Sequence, residues 1–236
     1  MIPLRDDQPI FSTPFITYFL IGLNVLVFLF ELSVGYQSRG DLNLMMAQFG
    51  VVPVRSIGYL TGTPVFAPVA AFVPMLTSMF LHASWTHVLG NMLMLWIFGD
   101  NIEDYLGHFK FLMFYLLCGF AATFTHILLN PNSAVPSVGA SGAIAGVMGA
   151  YFVLFSRARV LIWFPPIFIF HVPAWLMLGY WFISQFIGGT ATAIASANQA
   201  GGGGIAFWAH VGGFVSGLLL IKLLPERPQR YRYGTW

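Results

Sequence analysis

Six stretches of roughly twenty mostly apolar residues recur along the 236-residue chain, at Thr13–Gly35, Thr86–Leu106, Phe109–Leu129, Val138–Phe155, Phe170–Gly189 and Gly204–Leu224. Each is long enough to cross the roughly 30 Å hydrocarbon core of a bilayer as a helix. In lipid every backbone polar group must be paired internally, so such spans fold as helices. Only 8% of the residues are charged, against about 25% in a soluble domain. A chain this poor in charge cannot coat itself for water, and lipid is its solvent. The predicted fold class is therefore an all-α, multi-pass membrane protein with six transmembrane helices. It divides into a short cytoplasmic N-terminus (1–12), a membrane domain (13–224) and a basic cytoplasmic tail (225–236).

Residues 36–85 are too many for a plain loop, and they contain a further apolar run, Pro64–Leu81. Pro64, Pro68 and Pro74 each remove a helical hydrogen bond. The run is therefore expected to lie in the interface or re-enter the membrane rather than span it. Orientation follows from Lys and Arg. With both ends cytoplasmic, the inner side holds Arg5, Lys110, Arg157, Arg159, Lys222, Arg227, Arg230 and Arg232, and the outer side only Arg39 and Arg55. A seven-span model with an outer N-terminus satisfies the charge rule equally well, and the prolines decide for six. The start, MIPLRDDQPIFSTPF, does not resemble a cleaved signal peptide. The uncharged stretch Gly188–Gly204 is expected to be a mobile outer loop. Short loops and the lack of a transit-peptide pattern suggest a bacterial inner membrane.

Three polar groups fall at one depth. Ser141 lies about a turn below the outer end of the fourth span, within SVGASGAIAGVMGAY. His210 lies one to two turns below the outer end of the sixth, within FWAHVGGFVSG. His87 and Asn91, at i and i+4 of the second span, share a helix face. Polar groups inside a membrane are costly and usually mark function. Gly139, Gly142, Gly146, Gly213 and Gly217 thin the fourth and sixth spans. Small residues let helix backbones approach closely, which brings Ser141 within reach of His210. A serine hydroxyl becomes a nucleophile when a positioned base takes its proton, and His210 is that base. The Asn91 amide, the His87 ring and the Ser141 backbone N–H are candidate oxyanion donors.

GASG around Ser141, AHVGGFVSG around His210 and HxxxN at His87–Asn91 together resemble the rhomboid family of intramembrane serine proteases, over residues 13–224. The resemblance implies a six-helix rhomboid-like bundle with a long, partly embedded loop between helices 1 and 2. It implies a Ser141–His210 dyad near the outer face, with His87, Asn91 and Ser141 forming the oxyanion hole. Trp181, Phe182 and Phe186 of the fifth span would belong to a lateral gate. The substrates would be transmembrane segments with small residues at the cut and helix breakers nearby. Two features depart from the family pattern. No Trp-Arg pair occurs in the long loop, and Ala145 stands where some members place an aromatic under the histidine.

The alternative is a catalytically inactive relative that binds or escorts membrane helices. A transporter would need ionisable groups along a path through the membrane, and the central and inner layers hold almost none. No HExxH motif and no pair of mid-membrane aspartates is present. The lone Cys118 supplies neither a disulfide nor a CxxC motif, so no metal or cofactor is expected. Membrane lipids and transmembrane proteins are the expected partners. A net charge of +2 gives nucleic acid no basic surface, and nothing in the sequence fixes an oligomeric state. His82 and Glu103 are expected to hold loops and helix ends, His108 to sit at the surface, and His126 and His171 to be interfacial or packing residues.

Overall fold

The computed structural model describes residues 1–62, 67–196 and 206–227. Six helices of fourteen residues or more carry the fold, one overlapping each apolar window. They are α1 (Phe15–Gln37), α5 (Trp85–Leu106), α6 (His108–Leu129), α7 (Ser141–Leu154), α8 (Ala174–Ser196) and α9 (Phe207–Leu220). By length and hydropathy α1 and α6 can each cross a membrane. A third crossing results if Pro68–Phe80 and Trp85–Leu106, bent by 76°, form one span. α7 and α9 are apolar but shorter. A fourteen-residue helix rises only about 21 Å.

α7 is the axis of the bundle, buried from Gly142 through Tyr151. α5, α6, α8 and α9 all touch it. Its closest neighbour is α9, and the approach is backbone on backbone. A Cβ at Gly213 would overlap the Gly142 carbonyl, one at Gly217 the Gly146 carbonyl, and one at Gly149 the Phe214 carbonyl. Packing of this kind needs no hydrophobic drive, which lipid does not supply.

The segment between α1 and α5 contains α2 (Arg39–Phe49), α3 (Pro53–Leu60), α4 (Pro68–Thr77) and a 3₁₀ turn, Ser78–Phe80. Pro68 opens α4 and Pro74 lies inside it, while Pro64 falls outside the described residues. The segment folds back onto the bundle, burying Val51, Val52, Met79, Leu81 and His82.

Three features correct the sequence-based expectation. First, the fold is not all-α. β1 (Ile2–Arg5), β2 (Arg159–Phe164) and β3 (Phe168–Pro173) form an antiparallel sheet in the order β1-β2-β3. Second, the fifth window does not begin as a helix at Phe170. Residues Phe170–Pro173 finish β3, and α8 starts at Ala174. The run RVLIWFPPIFIFHVP is rich in β-branched and aromatic residues, and a short apolar strand cannot be told from a buried helix by periodicity. Third, α8 continues through Gly188 to Ser196, where a loop is expected. Cβ atoms at Gly188 and Gly189 would meet the Phe207 and Trp208 rings at 2.5 and 3.1 Å, so close packing on the start of α9 accompanies the helix through that composition. The rest of that loop, 197–204, and most of the basic tail, 228–236, fall outside the described residues.

The N-terminal residues and Arg227 lie at one end of the bundle. The Asp104 carboxylate accepts from Ser12 Oγ at 2.5 Å and from Arg227 at 3.5 Å. Glu103 receives the Ile16 and Thr17 backbone N–H groups at 2.9 and 2.7 Å, which caps the start of α1. His108 sits half-exposed at the surface, as expected, and is also bonded. Its Nδ1–H donates to Glu103 at 2.5 Å.

Candidate active site

The first turns of α5, α7 and α9 meet at the opposite end from the N-terminal residues. Ser84 caps α5, its hydroxyl accepting the His87 backbone N–H at 3.2 Å. That cap puts His87 in the first turn and Asn91 one turn on. Ser141 is the first residue of α7 and His210 the fourth of α9. The loop before Ser141 is pinned by the long first loop. Val51 and Ser137 exchange backbone hydrogen bonds at 2.9 and 2.8 Å, and the Gly139 N–H donates to the Ser78 carbonyl at 2.8 Å. Gly139 has φ +129, and a Cβ there would sit 2.7 Å from the His87 ring. Only glycine fits that turn.

The structure brings Ser141 and His210 together, with Oγ to Nε2 at 2.7 Å. His210 is 9% exposed. Its other nitrogen, Nδ1, lies 2.7 Å from Oε1 of Gln185 on α8. An amide oxygen only accepts, so Nδ1 carries the proton and Nε2 presents its lone pair to the serine. Gln185 is itself oriented, because its amide nitrogen donates to Ser184 Oγ at 3.1 Å. The His210 partner is thus a neutral amide, not a carboxylate.

Sequence reasoning missed Gln185. The available signal was its position four residues after Trp181 on α8, which puts both on one helix face. The Trp181 ring lies 5.6 Å from the His210 ring at 37°, so the aromatic beside the histidine comes from α8. Ala145 is fully buried, 3.3 Å from where a Gly213 Cβ would stand. A ring at that position would force α7 and α9 apart. Phe182 stacks on Phe214 at 4.7 Å, and Phe186 meets Trp208 edge-on at 5.8 Å.

Asn91 is buried, and its Nδ2 donates to His82 Nε2 at 2.9 Å. His82 is held in turn by its backbone N–H, which donates to the Glu31 carboxylate at 3.1 and 3.2 Å. The His82 and His87 rings stand edge to face at 5.1 Å. Glu31 therefore secures the loop that orients Asn91 and makes no contact with His210. A cavity of about 590 Å³ is lined by His87, Asn91, Ser137, Ser141, Trp181 and His210, among others. It lies between α5 and α8, over the start of α7. The first N–H groups of α7 have no intrahelical partner, and the helix dipole favours negative charge there.

A helical bundle with a serine–histidine pair recessed at the start of two tightly packed apolar helices defines a class of membrane-embedded proteins. Residues 70–227 match the rhomboid domain family, and the chain belongs to that family. It is 28% identical over 232 residues to Rhomboid protein 1, mitochondrial, of Saccharomyces cerevisiae, covering 94% of this chain and 58% of the relative. It is 36% identical over 116 residues to Presenilin-associated rhomboid-like protein, mitochondrial, of Bos taurus, covering 48% and 30%. Over 77 residues it is 40% identical to Rhomboid-like protein 11, chloroplastic, of Arabidopsis thaliana, covering 33% and 27%. The chain thus spans 58% or less of the length of these relatives.

These relatives overturn the expected bacterial inner membrane, and with it the cytoplasmic assignment of both termini. They are named as mitochondrial or chloroplastic proteins of eukaryotes. The physical reason for the error is that hydropathy and loop length report the solvent of a chain, not which membrane supplies it.

Proposed function

We propose that this chain is an intramembrane serine endopeptidase that cleaves transmembrane segments of membrane proteins. The observation that carries the reading is the 2.7 Å contact between Ser141 Oγ and His210 Nε2, with Nδ1 occupied by Gln185 and a cavity above. Ser141 Oγ attacks the scissile carbonyl while Nε2 takes the hydroxyl proton. The carbonyl oxygen becomes an oxyanion, held by the Ser141 backbone N–H, the second Asn91 amide hydrogen and the His87 ring. His210 then gives its proton to the leaving amine, the C–N bond breaks, and an acyl-serine remains. Water enters from the cavity, loses a proton to Nε2 and attacks the acyl carbon. The C–Oγ bond breaks, Nε2 returns the proton to Oγ, and the new carboxyl group leaves a restored Ser141.

In this reading the six long helices cross the membrane, with the first loop partly embedded in the leaflet on the Ser141 side. Because α7 and α9 rise only about 21 Å in a core of roughly 30 Å, their first turns lie recessed below the headgroups. A buried site of this kind suits substrates that are themselves embedded. Trp181 and Phe182 support His210 and the α9 face, and the gate role falls to the exposed Phe186 side of α8.

A fluorophosphonate probe tests the reading. Ser141 of the detergent-solubilised protein should be labelled, Ser141→Ala should not react, and His210→Ala should lose labelling while keeping its thermal melt. Undiminished labelling in His210→Ala would remove the proposed base. A wild-type protein that neither labels nor cleaves any single-span substrate would instead fit a helix-binding relative without activity.

A further inference from the structure

The end of the bundle that carries the N-terminal residues has a feature the proposed chemistry does not use. The sheet buries Pro3, Val160 and Ile162 against the helices. Its register places Leu161 opposite His171 and Arg159 opposite Pro173. Side chains alternate along strands, so Arg159, Leu161 and His171 share the outward face. Beside them a cleft of about 500 Å³ is lined by Arg157, Arg159, His171, Val172, Pro173 and Trp175.

The charged groups in this cleft are exposed. Among the described residues, neither guanidinium and not the His171 ring makes a hydrogen bond or ion pair within the protein. Asp7 is the acid that feels the charge of Arg159. Its carboxylate is engaged by the Arg159 backbone N–H at 2.9 Å and the Gln8 amide at 2.8 Å.

The cleft opens onto an apolar strip. Trp175 at its rim is 51% exposed, and Leu176, Tyr180 and Ile183 continue along α8 at 47%, 63% and 57%. On the hairpin side Phe168 and Phe170 are exposed. A tryptophan at such a junction is typical of the membrane–water boundary. Basic clefts beside transmembrane helices suit anionic headgroups, and arginine matches phosphate oxygens in pairs.

We infer that the cleft between the β2–β3 hairpin and the start of α8 binds an anionic phospholipid, with Arg157 and Arg159 on its phosphate and the α8 strip against its acyl chains. Two unpaired guanidinium groups favour a headgroup of net negative charge over a zwitterionic one. The apolar strip favours a lipid over a free anion, which would leave that strip uncovered. The site lies at the opposite end of the bundle from Ser141 and stands independently of the peptidase reading.

Native mass spectrometry of the detergent-solubilised full chain tests the site, with phosphatidylglycerol, phosphatidylcholine and inorganic phosphate as probes. Phosphatidylglycerol should be retained in preference to phosphatidylcholine. Each arginine should contribute ~5-fold, so R157Q/R159Q should weaken retention ~25-fold with an unchanged thermal melt, while R157K/R159K retains most of it. Should the double variant fail to fold, Arg157→Gln alone, which lies outside the strands, should still show the ~5-fold loss. Equal retention of both lipids, or undiminished retention in R157Q/R159Q, would overturn the site. Complete displacement of phosphatidylglycerol by millimolar phosphate would mark it as a free-anion site and overturn the lipid assignment.

Discussion

Replacing Gln185 by methionine removes the acceptor for His210 Nδ1, together with the amide's own bond to Ser184 Oγ. Methionine has similar length and volume, so Trp181 and Phe182 keep their packing, but its sulfur accepts only weakly. In the native site His210 Nδ1 donates to Gln185 Oε1 at 2.7 Å. That bond selects the tautomer in which Nε2 can take the Ser141 proton. It also strengthens when the ring becomes an imidazolium in the transition state. A hydrogen bond to a charged group contributes roughly 1.5–3 kcal/mol. Losing about 2 kcal/mol of transition-state stabilisation slows the reaction ~30-fold. In a triad whose orienting group is a carboxylate the comparable loss reaches ~10⁴, and a neutral amide should fall well short of that.

The measurement is cleavage of a fluorogenic single-span substrate in proteoliposomes, with kcat and KM separated. The fall should be in kcat, since the interaction grows in the transition state. Fluorophosphonate labelling should slow by a similar factor, because the probe needs the base but no helix entry. Gln185→Glu keeps an acceptor and should recover most of the rate. A Gln185→Met enzyme with kcat within two-fold of wild type would refute the assignment. So would a change confined to KM, which would make Gln185 part of substrate access.

Asn91→Ala should lower kcat by ~100-fold, the effect of removing one oxyanion donor, with KM little changed. A rise in KM alone would make Asn91 a packing or binding residue. Gly213→Ala and Gly217→Ala place a methyl on the Gly142 and Gly146 carbonyls and should each cost ~3 kcal/mol in detergent unfolding. Gly22→Ala, which meets nothing within 4 Å, should be neutral or stabilising by up to about 1 kcal/mol. Burial raises the carboxyl pKa of Asp6, which accepts from Tyr151, above its ordinary 3.8. Its stabilising contribution is therefore full below 3.8 and is lost as pH rises through the raised value. Asp6→Asn should raise the neutral-pH melting temperature and flatten its dependence on pH, and an unchanged pH profile would contradict this.

Ser141, His210, His87 and Asn91 were legible because few polar groups occur in the apolar windows, and helical rise alone puts these at one level. The glycines of α7 and α9 were legible for a similar reason, since small residues in lipid have few uses besides close approach. Gln185 was hidden by its neighbours: Trp181, Phe182 and Phe186 read as an aromatic gate, and the amide among them drew no attention. The β2–β3 hairpin was hidden because RVLIWFPPIFIFHVP is apolar without a decisive period. Tertiary packing also defeats composition at Gly188 and Gly189, where the Phe207 and Trp208 rings press on α8. The Glu31–His82–Asn91 chain joins residues 51 and 9 positions apart, a distance no local pattern reports.

The same helix that would admit a substrate also holds the base. Trp181 and Gln185 contact His210 from one face of α8, while Phe186 is exposed. A helix with side chains is about 10–12 Å across, so one turn of it occupies roughly 500 Å³. The cavity over Ser141, about 590 Å³, thus has room for about one such turn. Admitting a second turn would require α8 to move away from α5. An outward swing large enough for that would draw Gln185 off Nδ1 and leave the tautomer unset at the moment of attack. Chemistry and wide opening therefore exclude each other in this geometry. A segment that unwinds locally can present one extended stretch to Ser141 while α8 stays seated on His210. In the proposed reading, the helix-breaking residues that the family resemblance implies near the cut would be accommodated in this way, with Gln185 still on Nδ1.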